Sequence, residues 1–150
     1  IISADAMIGV MEIIKPHLEG DPNQKPMGTI LIGSAEGDVH SIGKNLMISL
    51  LQGQGFKVID LGTDVPPDKF IEEAKKSKPD VIGISGLLTE SISTMQKTVL
   101  MLKEENIPSK IIVGGGILTV ESCTMIGADD FATDGWDGLK KINKLVERAE

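Results

Sequence analysis

One short segment combines a carboxylate and an imidazole in a turn bounded by glycines. Residues 37–43 read Gly-Asp-Val-His-Ser-Ile-Gly, so Asp38 stands two residues before His40. At this spacing the carboxylate can bond to one imidazole nitrogen, which fixes the tautomer and leaves the other nitrogen free to bind a metal. The segment therefore predicts a metal-binding histidine.

The supply of other ligands limits which metal this histidine can hold. A zinc site needs three or four protein ligands. The chain has one other histidine, His17, and a single cysteine, Cys123, and both are far from His40 in the sequence. A lone histidine is sufficient when the metal brings its equatorial ligands in a macrocycle. Two candidates remain at this point, a haem and a corrin.

Two further segments offer a surface for a large ligand. Residues 85–91 carry several hydroxyl groups in a turn, beside which a long polar tail can lie. Residues 113–116 read Val-Gly-Gly-Gly, which removes three successive side chains and lets a flat group approach the backbone closely. Glycine-rich turns also bind phosphates, so the triple glycine alone does not decide the ligand.

Five short apolar runs alternate with segments of helical period. The runs predicted as strands are 27–33, 56–61, 80–85, 110–113 and 129–132. Between them, apolar residues recur at helical spacing. The alternation predicts a doubly wound, Rossmann/flavodoxin-like α/β fold with a five-stranded parallel sheet of order 2-1-3-4-5. In that order the loops after strands 1 and 3 meet at the carboxyl edge, where such folds bind ligands.

The first 26 residues differ in pattern from the rest of the chain and predict a division into domains. Residues 3–18 have a helical pattern that is apolar on nearly all sides, so we expect 1–20 to end a helical module whose other helices lie upstream. Residues 21–26 contain two prolines and form a predicted linker, and 27–150 form the main domain.

A formal charge of -7 argues against a nucleic-acid partner. No apolar run has the roughly 18 residues of a membrane span, and the single Cys123 fits a reducing cytoplasm.

Three parts of the sequence together resemble the cobalamin-binding signature. They are Asp38-x-His40-x-x-Gly43, then Ser85-x-Leu87, then Gly114-Gly115, with 41 residues between the first and second parts and 26 between the second and third. The sequence around His40 is most similar to that of methyltransferase-type corrinoid proteins, a group that includes the cobalamin domain of methionine synthase. The resemblance spans residues 27–150. It also implies that residues 1–20 end a four-helix cap that precedes the domain.

The resemblance implies a role for each matching position. His40 takes the lower axial site of the cobalt after the nucleotide base of the cofactor has left it, and Asp38 and Ser91 extend a proton relay from His40. Ser85 and Thr89 contact the corrin or its tail, Gly114 and Gly115 leave room for the dimethylbenzimidazole, and the loop at Gly135 closes over it. The remaining residues expected to contact the cofactor are Gly37, Val39, Ser41, Ile42, Gly43 and Leu87. Ser41 departs from the pattern, since many relatives carry Asp there, and this should alter the polarity near the corrin edge.

Three function classes follow from the resemblance. The first is a methyl carrier, which accepts a methyl group on cobalt from a substrate-specific methyltransferase and delivers it to a second methyltransferase that uses tetrahydrofolate or a similar acceptor. Such a carrier implies a reductive activase as a third partner. The alternatives are the cobalamin subunit of an adenosylcobalamin-dependent mutase and a cobalamin-sensing regulatory domain. The cap-like helix favours the carrier, whose methyl donor is held by the partner enzyme.

Overall fold

The computed structural model describes residues 27–149, in which strands and helices alternate five times. The strands are β1 (Thr29–Ser34), β2 (Lys57–Asp60), β3 (Val81–Ser85), β4 (Lys110–Gly114) and β5 (Asp130–Ala132). The helices are α1 (Ile42–Gly53), α2 (Pro67–Ser77), α3 (Thr89–Glu104), α4 (Val120–Ile126) and α5 (Gly135–Ala149). The helix and linker predicted for residues 1–26 lie outside the described residues. Within the described range, no helix is long and apolar enough to cross a membrane.

The five strands form one parallel sheet of order β2-β1-β3-β4-β5. This confirms the predicted doubly wound fold and its strand order. Ser34 at the end of β1 pairs with Ser85 at the end of β3, and Ser85 pairs with Gly114 at the end of β4. The three loops that carry the predicted site therefore leave the sheet side by side at its carboxyl edge.

Helices cover both faces of the sheet, and a separate hydrophobic core lies between the sheet and the helices on each face. Successive residues of β1 point to opposite faces, so Leu31 lies in the core beneath α2, α3 and α4, and Ile30 lies in the core beneath α1 and α5. Phe70 of α2 is fully buried in the first core, which stabilises the fold by about 1.5–3 kcal/mol. The two cores fix the strands whose ends carry the site.

The predicted helical stripes lie where their spacing places them. On α3, Met95, Val99 and Leu102 are buried, and on α5, Leu139 and Ile142 are buried against the opposite face. Helix α2 begins at Pro67, a position where proline loses no helical hydrogen bond. The buried stripes therefore follow the helical spacing of the sequence, and α3 and α1 begin directly after the loops of the site.

Candidate functional site

His40 stands in the loop between β1 and α1, with its side chain about half exposed. Its Nδ1 atom lies 2.9 Å from Oδ1 of Asp38. Because a carboxylate only accepts hydrogen bonds, Nδ1 carries the proton in this contact and Nε2 keeps a free lone pair. The backbone of the loop is held as well, since the hydroxyl of Ser34 donates to the carbonyl oxygen of His40 over 2.9 Å. The loop thus offers one imidazole nitrogen as a ligand.

Asp38 is fully buried, and its carboxylate accepts four hydrogen bonds. Oδ1 receives the Nδ1–H and the backbone N–H of His40, each at 2.9 Å. Oδ2 receives the backbone N–H of Leu87 at 2.7 Å and the hydroxyl of Ser91 at 2.8 Å. Burial alone would raise the pKa of this carboxyl, but the hydrogen bonds from Leu87, His40 and Ser91 outweigh it and lower the pKa to about 2. Asp38 is therefore an anion at neutral pH.

Ser91 joins the loop after β3 to the loop after β1. It lies in the first turn of α3 and is buried, and its hydroxyl points to Asp38 rather than capping the helix. Gly86 permits this approach, because a Cβ atom there would stand only 2.7 Å from the Cβ of Ser91. The structure thus brings Ser91, Asp38 and His40 together in a chain of hydrogen bonds that runs from the interior to the exposed imidazole.

A narrow cavity of about 160 Å³ opens beside His40 and runs between the sheet and helices α1 and α5. Its lining is mostly apolar and rich in glycine. Gly116 has no atom within 4 Å of the place where a Cβ would stand, and Gly114 has only one, at 4.0 Å. Side chains at these two positions would therefore extend into open space along the cavity. The missing side chains leave space for a flat group at the end of β4.

Two other predicted glycines, Gly115 and Gly135, line the same cavity, and each lies close to another part of the protein. A Cβ on Gly115 would overlap the carbonyl oxygen of Gly86, and the φ angle of Gly115 is 150°. A Cβ on Gly135 would lie 3.2 Å from Leu50 on α1. The backbone contact therefore requires glycine at position 115, whereas a side chain at position 135 would only crowd Leu50.

The other predicted residues fall into two groups around His40. Gly43, Ser85 and Leu87 line the cavity. The rest lie outside the cavity: Gly37, Val39, Ser41, Ile42 and Thr89. Of these, Val39 and Ile42 expose apolar side chains on either side of His40. Two exposed apolar side chains therefore lie close to His40 along the chain.

Some residues of the site were not predicted from the sequence. Met47 on α1 and Gly138 on α5 line the inner part of the cavity, and a Cβ on Gly138 would overlap the methyl group of Met47. Buried Lys44 also lines it and bonds to both carboxylate oxygens of Asp60, at 2.9 and 3.0 Å. The Gly135-x-x-Gly138 spacing in a helix was a usable signal for close helix packing, whereas nothing in the sequence joins Lys44 to Asp60.

These features define a class of protein, an α/β cofactor-binding domain that offers one imidazole as a ligand at the mouth of an apolar cavity. Within residues 27–149, no three His, Cys, Asp or Glu side chains are grouped closely enough to hold a metal ion. Residues 28–139 match the B12 binding domain family. The chain belongs to this family.

Three proteins illustrate the similarity. The chain is 41% identical over 147 residues to trimethylamine corrinoid protein 1 of Methanosarcina mazei, covering 96% of this chain and 68% of that protein. The structure of the Methanosarcina barkeri monomethylamine corrinoid protein matches with a TM-score of 0.83 and 32% identity, over 95% of this chain and 68% of that one. The methanol:cobalamin methyltransferase complex of the same organism matches with a TM-score of 0.78 and 30% identity, over 97% of this chain and 55% of the matched chain.

Proposed function

We propose that this chain is a corrinoid-binding methyl carrier in which His40 is the lower axial ligand of the cobalt. The observation that carries the proposal is the hydrogen-bonded chain from Ser91 through Asp38 to His40, beside an apolar cavity at the switch point of the sheet. A bound corrinoid supplies a cobalt centre that accepts a methyl group and releases it. The residues of this chain bind that group and tune it.

The geometry assigns separate tasks to the residues of the site. Asp38 holds the proton of His40 on Nδ1 and so keeps Nε2 available for the metal. The cavity behind His40 would hold the nucleotide tail of a bound corrinoid. Gly114 and Gly116 would leave room for that tail. Of the remaining predicted contact residues, Gly43, Ser85 and Leu87 line this cavity, and Gly37, Val39, Ser41, Ile42 and Thr89 would face the corrin.

The similarity to corrinoid proteins of methylamine systems favours the carrier over a mutase subunit or a regulatory sensor. We propose a substrate-specific methyltransferase as the first partner, supported by the solved methanol:cobalamin complex, and an N-methylated amine as the first donor to test. An acceptor methyltransferase and a reductive activase complete the proposed system. A cytoplasmic location is consistent with the reducing conditions that cobalt(I) needs.

We also propose that residues 27–150 form the cofactor domain, that 21–26 form a linker and that 1–20 end a helical cap. The exposed apolar side chains of Val39, Ile42 and Leu87 support this proposal, because a cap would cover them when no partner enzyme is bound. A longer chain that includes the upstream helices should protect cobalt(I) from oxidation better than the present 150 residues do. Equal oxidation rates would contradict a cap.

The ligand assignment is tested by electron paramagnetic resonance of the cobalt(II) form after reconstitution with cobalamin. The unpaired electron lies along the axial direction, so one coordinated nitrogen splits each cobalt line into three, and ¹⁵N-histidine labelling should reduce the three to two. His40→Ala should abolish the labelling effect, and the matched His17→Ala should keep it. A ¹⁵N-histidine labelling effect that persists in His40→Ala would refute the assignment.

The carrier function is tested with partner enzymes. The reconstituted chain should become methylated by a methylamine-specific methyltransferase and its substrate, and His40→Ala should slow this step. Incubation with adenosylcobalamin and a mutase catalytic subunit should give no rearranged product. Activity in the second assay without methylation in the first would favour the mutase alternative.

A further inference from the structure

Asp64, in the loop between β2 and α2, holds the His40 loop from the side by two hydrogen bonds. The backbone N–H of Asp64 donates to the carbonyl oxygen of Asp38 over 2.8 Å. Its carboxylate oxygen Oδ1 accepts the backbone N–H of Gly37 over 2.7 Å. One exposed residue thus bonds to the main chain on both sides of the Gly37–Asp38 peptide.

The conformation of Asp64 makes this double contact possible. Its φ angle is 51°, in the left-handed region that most side chains avoid and that glycine, asparagine and aspartate tolerate best. Of these three residue types, only asparagine and aspartate also carry an oxygen that can accept the N–H of Gly37. The position therefore needs both an unusual backbone and an acceptor.

The loop that carries Asp64 is itself fixed to β1. Val65 bridges to Ala35, the N–H of Val65 donates to the carbonyl of Ser34, and the N–H of Ser34 donates to the carbonyl of Gly62. Among residues 27–149, Asp64 takes part in no ion pair. Its carboxylate therefore acts on the main chain of the His40 loop from a rigid support.

We propose that Asp64 is a positioning residue that holds Asp38 at the place from which it orients His40. Asp38 meets Nδ1 of His40 at 2.9 Å, so a displacement of the Asp38 main chain changes the contact that fixes the imidazole tautomer. The inference rests on the proposed function, because its consequence is coordination of the corrinoid cobalt. The effect of Asp64 on the tautomer of His40 does not need the cofactor and can be measured in the apo protein.

Three variants separate the backbone from the acceptor. Asp64→Asn keeps both, Asp64→Gly keeps the backbone angle and loses the acceptor, and Asp64→Ala loses both. Thr63→Gly, at the neighbouring exposed position, controls for the flexibility that a glycine adds. The order expected for the strength of His40 coordination is wild type and Asp64→Asn, then Asp64→Gly, then Asp64→Ala.

Two measurements decide the proposal. In the 150-residue chain with cobalamin, Asp64→Gly should weaken binding by about fivefold, the value of one typical hydrogen bond. It should also reduce the axial-nitrogen splitting in the cobalt(II) spectrum. In the apo protein, the ¹⁵N shifts of the His40 ring should show a single Nδ1–H tautomer in wild type and Asp64→Asn, and move toward a mixture of tautomers in Asp64→Gly.

The outcomes distinguish this inference from the proposed function. Ring shifts in Asp64→Gly that equal those of wild type would overturn it, and so would equal changes in Asp64→Asn and Asp64→Gly, or in Thr63→Gly and Asp64→Gly. If wild type itself shows no axial nitrogen with cobalamin, the proposed function fails, and the apo ring shifts still decide the role of Asp64.

Discussion

Replacing Asp38 by asparagine should remove a pH-dependent part of the stability of the apo protein. All four groups that face the carboxylate are donors, from His40, Leu87 and Ser91. An amide offers one oxygen and one NH₂ group, so either orientation leaves a backbone N–H, of His40 or of Leu87, facing another donor. An unsatisfied buried group of this kind costs about 1–3 kcal/mol at any pH.

The pH-dependent part follows from the lowered pKa of Asp38. The pKa falls from its ordinary value of 3.8 to about 2 in the folded state. At about 1.4 kcal/mol per pH unit, this difference corresponds to about 2.5 kcal/mol. Because the folded-state pKa is the lower one, the stabilisation is fully present above the unfolded value of 3.8 and is lost as the pH falls through about 2.

Urea unfolding of the apo protein between pH 6 and pH 2 measures both parts. The difference in the free energy of unfolding between wild type and Asp38→Asn should shrink by about 2 kcal/mol over this range, because at pH 2 a carboxyl with a folded-state pKa of about 2 is only half protonated. The control Glu72→Gln removes an exposed carboxylate from the surface of α2. The difference in the free energy of unfolding between wild type and Glu72→Gln should stay close to constant. Parallel curves for wild type and Asp38→Asn from pH 6 to pH 2 would refute the reasoning.

Three further predictions concern the glycines and the relay. Gly115→Ala should destabilise the apo protein by about 3 kcal/mol in urea unfolding, because its Cβ would overlap the carbonyl oxygen of Gly86 and its φ angle is unfavourable for alanine. The control Gly116→Ala should cost less than about 0.5 kcal/mol, and similar losses of stability in the two variants would contradict the prediction. Gly138→Ala pushes Met47 into the cavity and should weaken cobalamin binding about tenfold in titration calorimetry, but not binding of cobinamide, which lacks the nucleotide tail. Asp38→Asn should still bind cobalamin and make cobalt easier to reduce, because His40 then donates less strongly; identical midpoint potentials would count against it.

The sheet was predictable because its signals are local. Each strand is a short apolar run, and each helix carries a buried stripe such as Met95, Val99 and Leu102. Strand bounds moved by one or two residues, as in β1, which begins at Thr29 rather than at Met27. Strand ends depend on hydrogen bonds to neighbouring strands, which a single sequence does not contain.

The site was predictable where residues are close in sequence or carry a family pattern. The contact between Asp38 and His40 follows from their spacing, and Ser91 came from the resemblance. The inner cavity was not predictable, because Met47 and Gly138 meet only after α1 and α5 have packed on the same face. Asp64 was missed for another reason: its two hydrogen bonds need a left-handed backbone angle that the sequence leaves unspecified.

The buried carboxylate connects the order of the sheet to the chemistry of the site. Two of the donors to Asp38 belong to its own loop, and the other two, from Leu87 and Ser91, follow β3. The second pair reaches Asp38 only because β3 lies directly beside β1. In a strand order that separated β1 from β3 the anion would be buried with half of its donors, at a cost of several kcal/mol. Since its pKa is lowered rather than raised, Asp38 stabilises the fold that orients His40, so substitutions that weaken this network should reduce stability and metal coordination together.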